Sequence, residues 1–173
     1  MSVAGDTTVY LAFGSNLGDR RQNLIAALDG LAPDVLVEAV SSLYETDPVG
    51  PPDQQDYYNA VCRARTSLQP RELLAIVKQV ERDVGRTEGP RWGPRLIDID
   101  ILLCGDLIVD EPELHVPHRE MAKRAFVLVP LAELAADVTH PAEGVTTIRE
   151  LLASVDASGV RLLADVGWER PPA

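Results

Sequence analysis

The sequence predicts an α+β fold whose core runs β-α-β-β-α-β and forms an antiparallel sheet. Three observations predict it. Two stretches, opening near Asp19 and Pro70, carry apolar residues at helical spacing. Four stretches rich in β-branched or alternating residues surround them. Clusters of glycine and proline at 14–18, 47–52 and 89–94 separate these stretches.

Each element has its own signal. Residues 9–13 form a short apolar run ended by Gly14-Ser15-Asn16, a strand and then a turn. Leu24, Ile25, Leu28 and Leu31 share one helical face, with Asp19 as N-cap and Gly30 and Pro33 near the stop. Residues 35–44 are rich in β-branched residues and read as one strand. Prolines in 47–52 cannot continue it, because each removes a donor and fixes φ. Residues 57–66 read as the next strand. Pro70 opens a helix whose stripe is Leu73, Leu74, Val77, Val80 and Val84, closed by Gly85. Residues 96–103, Leu-Ile-Asp-Ile-Asp-Ile-Leu-Leu, are a strand. The order is the split βαβ pattern of ferredoxin-like folds. A loop follows, then helical additions near 122–136 and 147–154 and a late edge strand near 160–166, with a loose tail from Arg170. The expectation is a single domain, 1–173.

The chain has 173 residues, 46% hydrophobic and 25% charged, an ordinary globular composition. Its formal net charge is −11. Such a field repels phosphate backbones and argues against a nucleic-acid surface. A phosphate ligand must instead meet a local cluster of arginines, with a metal. Cys62 and Cys104 sit inside apolar runs and read as buried small side chains. No run approaches the ~18 apolar residues of a membrane span, and the start lacks a signal-peptide pattern. The expected location is cytoplasmic and the expected state monomeric.

Asp98 and Asp100 are the sharpest chemical feature. Two residues apart on a strand, they share a face, while Ile97, Ile99 and Ile101 point into the core. Paired carboxylates repel unless a cation compensates them. Mg²⁺ accepts one or two carboxylates together with substrate phosphates. Upstream lie Arg86, Arg91 and Arg95 in a Gly/Pro-rich loop with Trp92, suited to gripping phosphate and closing over a ligand. Thr46 and Val49 flank Pro48, and Tyr57 and Asn59 share strand parity. An Asn amide matches a heteroaromatic amide edge, and Trp92 and Phe126 are candidates to sandwich a flat ring. Gly14 to Gly18 is too short for a Walker loop and lacks its lysine, so it reads as a structural turn. His115, His118 and His140 have no nearby cysteine, which argues against zinc. His118 is a candidate for a phosphate or nucleotide hydroxyl.

Arg91-Trp-Gly-Pro-Arg-Leu-Ile-Asp-Ile-Asp-Ile-Leu102 resembles the diagnostic motif of the 6-hydroxymethyl-7,8-dihydropterin pyrophosphokinase family. The segments 10–18, 44–51, 56–59, 116–118 and 124–126 match in order, so the resemblance runs from about 9 to 136. It implies a ferredoxin-like fold and transfer of diphosphate from ATP to a pterin hydroxymethyl group in folate synthesis. It implies two Mg²⁺ ions on Asp98 and Asp100. Thr46, Val49, Tyr57, Asn59, Trp92 and Phe126 fall at the family's pterin pocket. Glu81, Arg86, Arg91, Arg95, His118 and Arg124 fall where it handles ATP, with Arg86 and Arg95 on the moving phosphates. Glu88 departs from a usual basic residue, and Arg119 from a usual Pro or aromatic. Two rivals stand beside this reading: another Mg²⁺-dependent nucleotidyl enzyme on the same fold, and a non-catalytic ligand-binding module.

Overall fold

The structure, a computed structural model, describes residues 6–48, 53–85 and 95–171. The elements are β1 (Thr7–Ser15), α1 (Arg20–Gly30), β2 (Leu36–Val40), β3 (Leu43–Thr46), β4 (Tyr57–Thr66), α2 (Pro70–Val84) and β5 (Asp98–Cys104). After them come β6 (Val109–Glu111), β7 (Leu114–Val116), a 3₁₀ turn (Met121–Lys123), α3 (Ala125–Ala135), α4 (Ile148–Ala153) and β8 (Val160–Ala164).

Local chemistry sets the helix ends. The Asp19 carboxylate accepts from the Gln22 backbone N–H, capping α1. Pro70 takes the first turn of α2, where its missing N–H costs nothing. Gly85 ends α2 at φ 113°, a conformation that favours glycine. Thr147 and Glu150 form a capping box on α4.

The main sheet runs β5-β1-β4-β3-β8, with β2 also on β4, and every pairing is antiparallel. Each βαβ unit is split by a strand from the other, as the element order predicts. The expected single strand over 35–44 is instead two. Val40 opposes Cys62 and Tyr44 opposes Asn59, so one extra residue bulges between them. Ser41 makes this possible: its hydroxyl, not a backbone carbonyl, accepts from the Val61 N–H. Ser42 gives its N–H and its hydroxyl to Glu133 on α3. No glycine or proline marks the break, because serine hydroxyls replace the missing ladder bonds. The segment after β5, expected as a plain loop, contains the β6–β7 hairpin.

Apolar residues fill both faces of the sheet. Leu11, Phe13, Ile99 and Ile101 pack with Leu24, Leu28, Leu73 and Val77 under α1 and α2. Tyr10, Val61 and Leu102 pack with Val127, Leu128, Leu131, Ile148 and Leu151 under α3 and α4. Fully burying a side chain such as Leu11 or Phe13 contributes roughly 1.5–3 kcal/mol. Trp168, near the expected loose tail, folds back into the first cluster and donates its Nε1–H to the Ser41 carbonyl at 2.8 Å. Cys62 and Cys104 are free and buried, and burial pushes their thiols up to about 12 and about 11. They are protonated packing groups at neutral pH.

Candidate active site

Alternation along three strands builds one surface. Tyr10, Ala12 and Gly14 of β1 share a face with Asn59 and Val61 of β4 and with Asp98, Asp100 and Leu102 of β5. At one end α3 and α4 cover that face. At the other it opens into a cavity of about 670 Å³. The pairings lay Asn59, Gly14 and Asp98 in one row across three strands, and Val61, Ala12 and Asp100 in the next. Outer strands in such a row are roughly 9–10 Å apart.

The β1–β5 register shifts between Tyr10, opposite Leu103, and Leu11, opposite Ile101, so Leu102 is the extra residue. This bulge ends the Asp-Ile alternation. It leaves both aspartates facing the cavity while Leu102 and Leu103 enter the second core. Among the described residues β5 is the sheet's edge, and its outward Ile99 N–H has no strand partner there. Glu81 of α2, almost wholly buried, accepts it at 2.9 Å. Its other oxygen lies 3.2 Å from Lys78 Nζ. Glu81 was expected among the ATP-handling residues. It does line the cavity, but its carboxylate is engaged in fixing the residue between the two aspartates.

The cavity gathers ten of the expected site residues: Thr46, Tyr57, Asn59, Glu81, Arg95, Asp98, Asp100, His118, Arg124 and Phe126. Val49, Arg86, Arg91 and Trp92 lie outside the described residues, as does Glu88. The Asn59 amide N–H donates to the Thr46 hydroxyl at 2.6 Å. Its Oδ1 lies over Gly14, where an added Cβ would come within 2.9 Å of it. Tyr57 and Phe126 supply aromatic surface, with the Arg124 guanidinium 5.6 Å from the Phe126 ring centre.

His118 follows β7. Its Nδ1 accepts the Glu120 backbone N–H, so Nε2 carries the proton and faces Asp100 Oδ1 at 3.8 Å. Burial holds its pKa below the ordinary value, against the pull of the Asp100 carboxylate. The other histidines lie elsewhere. His115 pairs with Asp110 across the hairpin, and His140 accepts from the Ala142 N–H.

Four residues escaped the sequence reading. Lys78 and Lys123 add positive charge beside Arg95 and Arg124, the local cluster that a chain of net charge −11 needs for phosphate. Asn16 ties loops together: its Oδ1 accepts the Arg95 N–H at 2.7 Å, and its Nδ2 donates to Gln54 and to the Gln55 carbonyl. Gly14, expected as a turn residue, is in β1 and forms the cavity floor. Its sequence context, Gly14-Ser15-Asn16, carries only a turn pattern. Gly14→Ala should push Asn59 aside, weakening binding of the pterin that the motif resemblance implies by about five- to tenfold with little change in melting temperature. Calorimetric titration of the variant with pterin checks this.

Among the described residues, no three His, Cys, Asp or Glu converge as a full protein cage for a metal. Two carboxylates on one face, with room and cations for phosphate beside them, fit Mg²⁺, which keeps water and substrate oxygens in its shell.

A family model described as 7,8-dihydro-6-hydroxymethylpterin-pyrophosphokinase (HPPK) matches residues 10–136. The 2-amino-4-hydroxy-6-hydroxymethyldihydropteridine pyrophosphokinase of Pseudomonas aeruginosa is 45% identical over 157 residues, covering 90% of this chain and 96% of that one. Its Bacillus subtilis namesake is 46% identical over 143 residues, covering 82% and 86%. The folic acid synthesis protein FOL1 of Dictyostelium discoideum is 43% identical over 148 residues, but this chain spans only 22% of its length. The wild-type HPPK-DHPS of Plasmodium falciparum shares the fold, with a TM-score of 0.67 at 15% identity. The match covers 86% of this chain and 44% of that one. The matched segment holds the strand carrying Asp98 and Asp100, the row through Gly14 and Asn59, and the turn bearing His118 and Arg124. The chain belongs to the 7,8-dihydro-6-hydroxymethylpterin-pyrophosphokinase family.

Proposed function

We infer that this chain transfers the terminal diphosphate of ATP to the hydroxymethyl group of 6-hydroxymethyl-7,8-dihydropterin, releasing AMP, a step of folate synthesis. The observation that carries this reading at the residue level is the row Asn59, Gly14, Asp98. It sets a hydrogen-bonding amide at one end, a glycine floor in the middle and paired carboxylates at the other. A bicyclic pterin lying across Gly14 meets Asn59 with its amide edge and points its hydroxymethyl arm at the aspartates.

Thr46, Tyr57, Asn59 and Phe126 hold the pterin. Asn59 Oδ1 accepts from the ring's N–H groups, and Thr46 fixes the amide's orientation. Val49 and Trp92 join them by resemblance. Arg95, Arg124, Lys123 and the neutral His118 bind ATP phosphates or nucleotide hydroxyls, with Arg86 and Arg91 added by resemblance. The pterin oxygen attacks the β-phosphorus. An O–P bond forms, the bond from that phosphorus to the oxygen bridging to the α-phosphate breaks, and AMP departs with the bridging oxygen. Asp98 and Asp100 would hold two Mg²⁺ ions, which when bound neutralise charge on the phosphate oxygens. The hydroxyl proton has a carboxylate acceptor in the same pair. Arg86 and Arg95 stabilise the moving phosphates.

The remaining parts of the reading follow from composition and packing. Both apolar clusters share one sheet, which supports a single domain over 1–173. The acidic balance argues against nucleic acid. Among the described residues no helix is long and apolar enough to cross a membrane. We read the chain as a cytoplasmic monomer acting on small molecules.

The test is product analysis with ATP, Mg²⁺ and the reduced pterin. AMP and pterin diphosphate should form in equal amounts, and neither without pterin. A cyclic nucleotide would indicate the other nucleotidyl enzyme, and no turnover would leave a binding module.

A further inference from the structure

Strand β8 lies beyond the segment that the family model matches, yet it reaches the site. Val160 pairs with Thr46, and Gly159 and Val160 line the cavity. The Asp47 N–H donates to the Gly159 carbonyl at 3.2 Å. The approach is so close that a Cβ on Gly159 would come within 2.9 Å of Asp47 Oδ2.

Arg161 stands next along β8. Its Nη1 lies 2.9 Å from Asp47 Oδ1, and its Nη2 lies 3.1 Å from Asp56 Oδ2 and 3.8 Å from Glu45 Oε1. Asp47 directly follows β3 and Asp56 directly precedes β4. One guanidinium therefore joins the end of one strand to the start of the next. Arginine suits this, because its planar fork carries five donors in fixed directions. Without it, three neighbouring carboxylates would repel across the strand ends. Arg20 gives the far end a second hold, donating to the Asp56 carbonyl at 2.8 Å and stacking on Tyr58.

We propose that Arg161 is a positioning residue for the pterin end of the cavity, fixing Thr46, Tyr57 and Asn59 by tying Asp47 and Asp56 together from β8. The pterin part of this proposal rests on the function inferred above. Arg161 touches no substrate in this account, so its removal should act on one ligand only.

Arg161→Ala in the full chain should raise KM for the pterin roughly three- to fivefold, the scale of an exposed ion-pair network. KM for ATP and kcat should stay near the wild-type values. Arg161→Lys should recover part of the loss, because one ammonium bridges two carboxylates poorly. Raising salt on the wild type should mimic the loss, since exposed pairs are screened. Hydrogen exchange gives an independent readout: the Asp47 amide and residues 57–59 should exchange faster in Arg161→Ala. Asp56→Asn, a milder change, should shift both readouts in the same direction by less. Unchanged exchange at Asp47 would overturn the tie itself. Equal rises in both KM values would overturn the assignment to the pterin end. A wild-type protein without turnover would instead overturn the pyrophosphokinase reading, while the exchange result still decides the tie.

Discussion

Asp100→Ala lowers turnover by about a thousandfold or more, and Asp98→Ala does the same. Both side chains share one face of β5 at the cavity. Removing either halves the carboxylate set proposed to hold Mg²⁺, an ion that takes its remaining oxygens from water and phosphate. The fold survives in Asp100→Ala. The Asp100 side chain is 42% exposed and lies 3.8 Å from His118 Nε2, too weak a contact for its loss to be felt globally. Steady-state assay over a Mg²⁺ series, with a melting curve on the same sample, checks both halves. Chelating the metal from the wild type should bring it to the same floor. A variant with near-normal Mg²⁺-dependent activity would remove these aspartates from the metal site.

Asn59→Ala weakens pterin binding by roughly ten- to a hundredfold, because a buried hydrogen-bonding partner is worth about 1–3 kcal/mol. The geometry makes the effect selective. Asn59 donates to Thr46 and presents Oδ1 above Gly14, whereas the cationic side chains lining the cavity are Lys78, Arg95, Lys123 and Arg124. Binding of a non-hydrolysable ATP analogue should therefore hardly change. Fluorescence titration with each ligand separately is the measurement. Equal loss for both ligands would make Asn59 a structural residue of the sheet.

Local chemistry explains why so much of the fold was legible. Asp19, Pro70 and Gly85 act within one turn of themselves, so their roles as cap, opener and stop follow from residue type. The strand at 57–66 coincides with β4, and the alternation in Leu-Ile-Asp-Ile-Asp-Ile gives the facing of both aspartates. Ser41 and Ser42 were not legible as a break. Their hydroxyls substitute for ladder bonds only once Val61 and Glu133 are alongside.

The candidate site divides in the same way. By itself the sequence determined the paired carboxylates, the cluster of Arg86, Arg91 and Arg95 along the chain, the Asn59–Tyr57 parity and the family that these motifs mark. Each is a pattern of neighbours along the chain, where side-chain direction follows from backbone period alone. The tertiary structure alone decided that Gly14 is the floor between Asn59 and Asp98, since register across three strands sets that row. It decided that Glu81 braces β5, that Asn16 joins Arg95 to Gln54 and Gln55, and that Arg161 reaches Asp47 and Asp56 from more than a hundred residues away. These contacts depend on distances fixed only when the sheet closes and its two faces are packed. A long-range polar contact has no period, so nothing in the order of residues announces it.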